Sequence, residues 1–174
     1  MYDSQRIQGF WQQSAAATTT KAKGDALEDL IEYVFQEIPG LILPTRNSRG
    51  PGGVAEIDIA FWNDGHTDGL RQFDRLIAIE CKNWDAAVGY VEIVMFKEKL
   101  RTRGQNFGVM VAVSGVTGTS QAQTAAYKAL FDAKGEGFTI IVITRSDIDA
   151  LTSADDLVRL IKEKFLRLCL SGHI

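Results

Sequence analysis

From Gly24 onward the apolar positions fall into a helical rhythm. Leu27, Leu30, Ile31, Val34, Phe35 and Ile38 recur at spacings of three and four, which is one stripe of an α-helix ended by Pro39-Gly40. Residues 1–23 show little rhythm beyond Ile7, Phe10 and Trp11, so they read either as a short docking helix or as a loose arm before a domain spanning 24–174. Leu41-Ile42-Leu43 suggests a short strand closed by Pro44. Arg46-Asn47-Ser48-Arg49-Gly50-Pro51-Gly52-Gly53 then reads as a flexible turn carrying two arginines. The period now changes to two: between Val54 and Trp62, Ile57, Ile59 and Phe61 alternate with Glu56, Asp58 and Ala60, which predicts a strand with Asp58 on its polar face. A turn-rich loop, Asn63 to Gly69, precedes the apolar run Leu76-Ile77-Ala78-Ile79, so these two strands are expected to pair antiparallel.

The later half repeats a simpler alternation of buried strands and helices. Residues 85–103 read as a helix with two apolar sides, Val91, Val94 and Met95 on one and Ile93, Phe96 and Leu100 on the other. Such a helix packs between two layers, or between its sheet and another subunit. Phe107 to Val113 and Phe138 to Thr144 are continuous apolar runs suited to strands covered on both faces. An Ala-rich helix from Gln121 to Lys134 joins them, and a last helix from Ser153 to Leu170 carries Leu157, Leu160, Ile161 and Phe165. The fold class is therefore α/β, a central mixed sheet with helices on both faces.

Composition refines this picture without changing it. At 174 residues, 45% hydrophobic and 24% charged, the chain is one ordinary globular domain. Its net charge of -3 gives no general attraction for nucleic acid, so a polyanion would need a local basic patch, a bound cation or a partner's surface. Cys81 and Cys169 are few and distant, no apolar run reaches membrane-span length, and residues 1–20 lack a signal peptide's pattern. Together these features suggest a cytoplasmic protein. His66 and His173 have no partner at zinc spacing and read as exposed residues.

The chemistry gathers at the end of the second strand. In Glu80-Cys81-Lys82 the acid and the lysine share one face of the strand, and antiparallel pairing turns Asp58 toward the same face. Glu28 lies about 20° from Phe35 around the first helix, on the border of its buried stripe. These carboxylates form an oxygen-rich cluster that suits Mg²⁺ or Mn²⁺, with the lysine either neutralising the acids or handling a water. The remaining basic residues are open to two readings. Lys97, Lys99, Arg101 and Arg103 form either a solvated helix end or contacts to nucleic-acid phosphates, and Arg46 and Arg49 are similar.

Glu28, Asp58 and Glu80-Cys81-Lys82, with 21 residues between Asp58 and Glu80, resemble the PD-(D/E)xK nuclease pattern. The segment Lys23 to Glu28, Gly53 before Glu56-Ile57-Asp58-Ile59, the ending Cys81-Lys82-Asn83-Trp84 and the Val113-Ser114-Gly115 loop are similar to the Mrr-like restriction endonuclease family. Ile57 stands where the pattern's name has proline. The resemblance covers residues 23 to about 145. It implies a restriction-endonuclease-like core, Asp58 and Glu80 as metal ligands, Lys82 on the attacking water and Glu28 as an accessory ligand. The expected activity is Mg²⁺- or Mn²⁺-dependent cleavage of DNA in defence against foreign DNA, by a homodimer or with a second specificity subunit. A Holliday-junction or repair nuclease uses the same residues, and a non-catalytic interaction module keeps the fold alone.

Overall fold

The structure is a computed structural model that describes residues 1–49, 56–119 and 125–171. The glycine-rich turn at 50–53, the strand start at 54–55, the first helical turn expected at 121–124 and His173 lie outside the described residues. Helix α1 (Ser4–Ala16) starts where the Asp3 carboxylate accepts the Gln5 and Arg6 amides, and it buries Ile7, Trp11 and Ser14. Helix α2 (Thr20–Phe35) begins four residues before Gly24 because Thr19 Oγ1 accepts the Ala22 amide. It ends at Phe35, ahead of Pro39-Gly40.

Five strands follow in spatial order of sequence: β1 (Leu41–Arg49), β2 (Glu56–Asn63), β3 (Leu76–Lys82), β4 (Phe107–Ala112) and β5 (Thr139–Ile143). The first three pair antiparallel and the last three parallel. Strand β1 corrects the expectation of a stop at Pro44. The register to β2 shifts between Ile42 and Thr45, so the proline, which has no amide to donate, sits in an irregularity of an edge strand. Arg46 and Arg49 consequently belong to a strand and not to a loop.

The remaining helices are α3 (Tyr90–Arg101), α4 (Ala125–Gly135), α5 (Arg145–Asp149) and α6 (Ala154–Ser171). The five-residue α5, absent from the sequence pattern, is set by Thr144 and Asp147 exchanging capping hydrogen bonds. Two cores result, one on each side of the sheet. Ile59, Phe61, Ile77, Ile79, Val109 and Ile141 face α1, α2 and α6. Ala60, Ala78, Met110, Ala112, Ile140 and Val142 face α3 and α4, with Ile57 joining this second side.

Small residues on the α3 side let that helix lie close to the sheet. A Cβ on Gly108 would stand 2.8 Å from Phe96 Cζ and 2.9 Å from Leu100 Cδ1, both fully buried. Gly108→Ala is therefore expected to cost about 1–3 kcal/mol, measured by urea unfolding, as α3 is pushed outward. The two-sided helix resolves simply in this chain: Ile93, Phe96 and Leu100 face the sheet, while Val91 and Met95 are exposed.

Candidate active site

The paired part of β2 and β3 runs from Trp62↔Leu76 to Ile59↔Ile79, a register that places Asp58 opposite Glu80 one step further on. There the backbone ladder gives way to a side chain. The Cys81 amide donates to Asp58 Oδ2 at 2.7 Å, so the acid stands in for a strand carbonyl and is fixed at the sheet's end. Glu80 is buried, and three lysine contacts hold it. Lys82 Nζ lies 2.6 Å from Oε1, and Lys99 Nζ lies 2.7 Å from each carboxylate oxygen. Lys82 also stands 5.6 Å from the ring centre of Trp84.

Charge and burial act differently on each group. Burial raises the proton affinity of Asp58, the Glu80 charge raises it further, and the Cys81 amide, Lys82 and Lys99 only partly offset this. Glu28, half-buried on α2, is pushed up to about 7 by burial and then by the Asp58 charge, with Arg46 opposing. For Lys82 burial favours the neutral amine, but the charge and hydrogen bond of Glu80 outweigh it and hold the group above the ordinary lysine value. Lys82 is thus an ammonium at neutral pH. It can orient an oxygen and stabilise negative charge, and it cannot accept a proton until it gives up its own. The Cys81 thiol is driven well up, first by burial and then by Asp58, Glu28 and Glu80, so it remains a thiol and not a nucleophilic thiolate.

A carboxylic acid whose folded pKa is raised binds extra protons in the folded state. The sign for Glu28 follows: between its ordinary value and about 7, the folded chain loses stability as pH rises, and below that window the penalty is absent. Glu28→Gln should therefore flatten the fall in metal-free stability between about pH 4.5 and 7, read by thermal unfolding at stepped pH in EDTA.

The basic residues divide by position. Lys99, part of the run read as a possible phosphate-binding surface, turns inward to Glu80. Lys97 pairs with Glu136 of the turn after α4, and Arg103 donates to the Lys99 and Ser48 carbonyls. Arg46 ties β1 to α2 through Asp29 and Glu32. Arg49, with Glu56, and Arg101, with Glu98, are the exposed ones. Sequence reasoning left Asn83 unassigned. Its buried side-chain amide donates to Ser14 Oγ and to the Lys23 carbonyl, joining α1 and α2 to the end of β3. A cavity of about 360 Å³ opens beside it, lined by Trp11, Lys23, Trp84, Ser114 and Arg145 among others.

The order of these parts agrees with a known family. The family model described as a restriction endonuclease, the Mrr catalytic domain of PD-(D/E)xK type, matches residues 19–154. The chain belongs to this restriction endonuclease family. No curated protein matches the chain. The matched span of this restriction-endonuclease domain contains all five strands, together with Glu28, Asp58, Glu80, Lys82 and Lys99. No helix among the described residues is long and apolar enough to cross a membrane.

The family uses divalent metal, and the donor chemistry here can be compared with that use. Among the described residues, no three acidic, histidine or cysteine side chains already converge as a metal-binding group. Asp58 and Glu28 are each pushed toward the protonated form by burial and by a neighbouring negative charge, a penalty that a cation beside them would relieve. Glu80, opposite Asp58, is the acid already neutralised by lysine. The oxygen donors Asp58, Glu80 and Glu28 are the kind of ligand that hard divalent cations take.

Proposed function

We propose that this nuclease-family domain hydrolyses phosphodiester bonds of DNA as an endonuclease dependent on Mg²⁺ or Mn²⁺. The observation that carries the reading is the meeting of Asp58 and Glu80 at the splayed ends of two paired strands with the Lys82 ammonium on the same acid. Asp58 and Glu80 would hold the ion, with Glu28 as an accessory group. When bound, a divalent ion supplies charge neutralisation on the phosphate and a more acidic water. Lys82 donates to the oxygen nucleophile or to a phosphate oxygen, and Glu80 keeps it charged. Glu28 takes up or releases a proton near neutral pH, the range in which proton transfer is most useful to catalysis. Of Arg46, Arg49, Lys97, Lys99, Arg101 and Arg103, the exposed Arg49 and Arg101 are the ones we assign to contacts with a DNA backbone.

The supporting experiment is a cleavage panel of supercoiled plasmid, linear duplex and a four-way junction with Mg²⁺ or Mn²⁺, using Asp58→Ala as the inactive control. Cutting of plain duplex that is lost in the variant supports a restriction or defence enzyme. Symmetric cutting confined to the junction supports a resolvase or repair role. Intact DNA under every condition removes the endonuclease reading. A non-catalytic interaction module has one observation in its favour, namely that lysines engage both oxygens of Glu80. Absence of Mn²⁺ binding together with absence of cleavage would point to it. Breaking both strands of a duplex requires two such sites, which a homodimer supplies. A second subunit could instead supply sequence specificity.

A further inference from the structure

One lysine suffices to neutralise a carboxylate, yet Glu80 has two. Lys82 comes from its own strand, and Lys99 reaches across from α3. The second contact is built and not incidental. Lys99 has a side chain only 15% exposed against 4% for Glu80, and its ammonium bridges both oxygens at 2.7 Å. Its backbone is anchored where the Lys99 carbonyl accepts from Thr102 Oγ1 and Arg103 Nη1, each at 3.0 Å. Gly108 sets the height of α3 above the sheet by admitting Phe96 and Leu100 closely, and so sets the reach of Lys99. Burying an extra ammonium is expensive unless its partner is already charged and fixed.

The two opposed acids are therefore treated unequally. Asp58 accepts a neutral backbone amide, whereas Glu80 receives two cations. A carboxylate offers about four lone-pair directions, and lysine nitrogens lie on three contacts to Glu80. A divalent ion shared between Asp58 and Glu80 would have to enter beside the Lys99 ammonium. Repulsion from that ammonium counts directly against its binding.

We propose that Lys99 is a built-in counter-cation of the site: it holds Glu80 in the metal-free arrangement and keeps the affinity for divalent cations low. The proposal rests on the reading of Asp58 and Glu80 as metal ligands. Lys99 is on this view a positioning residue, acting through Glu80 and not on the phosphate.

Calorimetric titration of the full chain with Mn²⁺ alone, without DNA, tests it. Lys99→Met should bind Mn²⁺ about tenfold more tightly than the unaltered chain or better, and Lys99→Arg, which keeps the charge, should stay within about twofold. The rise in melting temperature on adding Mn²⁺ to protein in which EDTA has first removed metal should be larger for Lys99→Met, a readout that a merely structural salt bridge would not move. If Lys99→Met does not fold, Lys99→Gln removes the same charge while retaining a hydrogen-bond donor, and the same tightening is expected. Equal or weaker Mn²⁺ binding by the charge-removing variant overturns the proposal. Failure is separable from failure of the nuclease reading. Tightened binding with no DNA cleavage by any form would remove hydrolysis and keep the counter-cation, and unchanged binding with cleavage would do the reverse.

Discussion

Lys82→Ala is expected to slow DNA cleavage by on the order of 10³-fold while leaving the chain folded. On the proposed reading the loss is large because, among the described residues, Lys82 both contacts Glu80 and stands on β3 beside it, where it would meet charge that develops on the phosphate. The fold should tolerate the change, since Glu80 keeps both contacts to Lys99. A stability loss of about 1 kcal/mol is the scale for one such hydrogen bond. Lys82→Arg should not restore the rate fully, because a planar guanidinium cannot reproduce the compact ammonium between Glu80 and Trp84. Plasmid-nicking rates with parallel circular dichroism measure both arms. Cleavage by Lys82→Ala at the unaltered rate would remove Lys82 from the chemistry.

Replacing Glu80 should be costly in another way. Glu80→Ala strands two mostly buried ammonium groups, Lys82 at 20% and Lys99 at 15% side-chain exposure, and is expected to destabilise the metal-free protein by about 3 kcal/mol. Asp58→Asn should do the opposite. Its carboxyl is already pushed toward the neutral form by burial and by Glu80, and asparagine retains an oxygen for the Cys81 amide. Above the ordinary carboxylate range the substitution removes a charge the folded state disfavours, so metal-free stability should rise slightly or hold. Urea unfolding in EDTA at pH 7.5 distinguishes the two acids, and equal losses would mean that their unequal treatment has no energetic consequence.

Much of this was legible in the chain. Period-two patterning in β3 is enough to turn Glu80 and Lys82 to one face, because side-chain direction in a regular strand follows from position. In β2 the alternation breaks at Asp58, with Ile57 on the α3 side of the sheet and Ile59 on the other, so the direction of Asp58 does not follow from strand position. The inward look of Glu28 follows similarly from its angle to Phe35. Lys99 was hidden by its company. It stands in a run of cations that reads naturally as a solvated helix end, yet it lies about 60° around the helix from Phe96, on the border of the buried stripe. That angle was the available signal. What it meets, Glu80, is a long-range fact that depends on how closely α3 approaches β4. The full length of β1 is not legible in the sequence because proline ordinarily interrupts pairing, and its place at the sheet's edge makes Pro44 tolerable. Helix α5 is too short for periodicity, leaving the Thr144 and Asp147 cap as its sole local mark.

Strand β1 has a second peculiarity, for Leu43 and Asn47 both adopt left-handed backbone angles, at φ 52° and 50°. Leucine rarely accepts that conformation, so the border of the sheet is held crooked at some energetic expense. A crooked border is a poor template, because an incoming strand needs a straight row of donors and acceptors. Two copies of this protein that came together through β1 would have to straighten it first, so self-association that lengthens the sheet on that side is discouraged by the backbone itself.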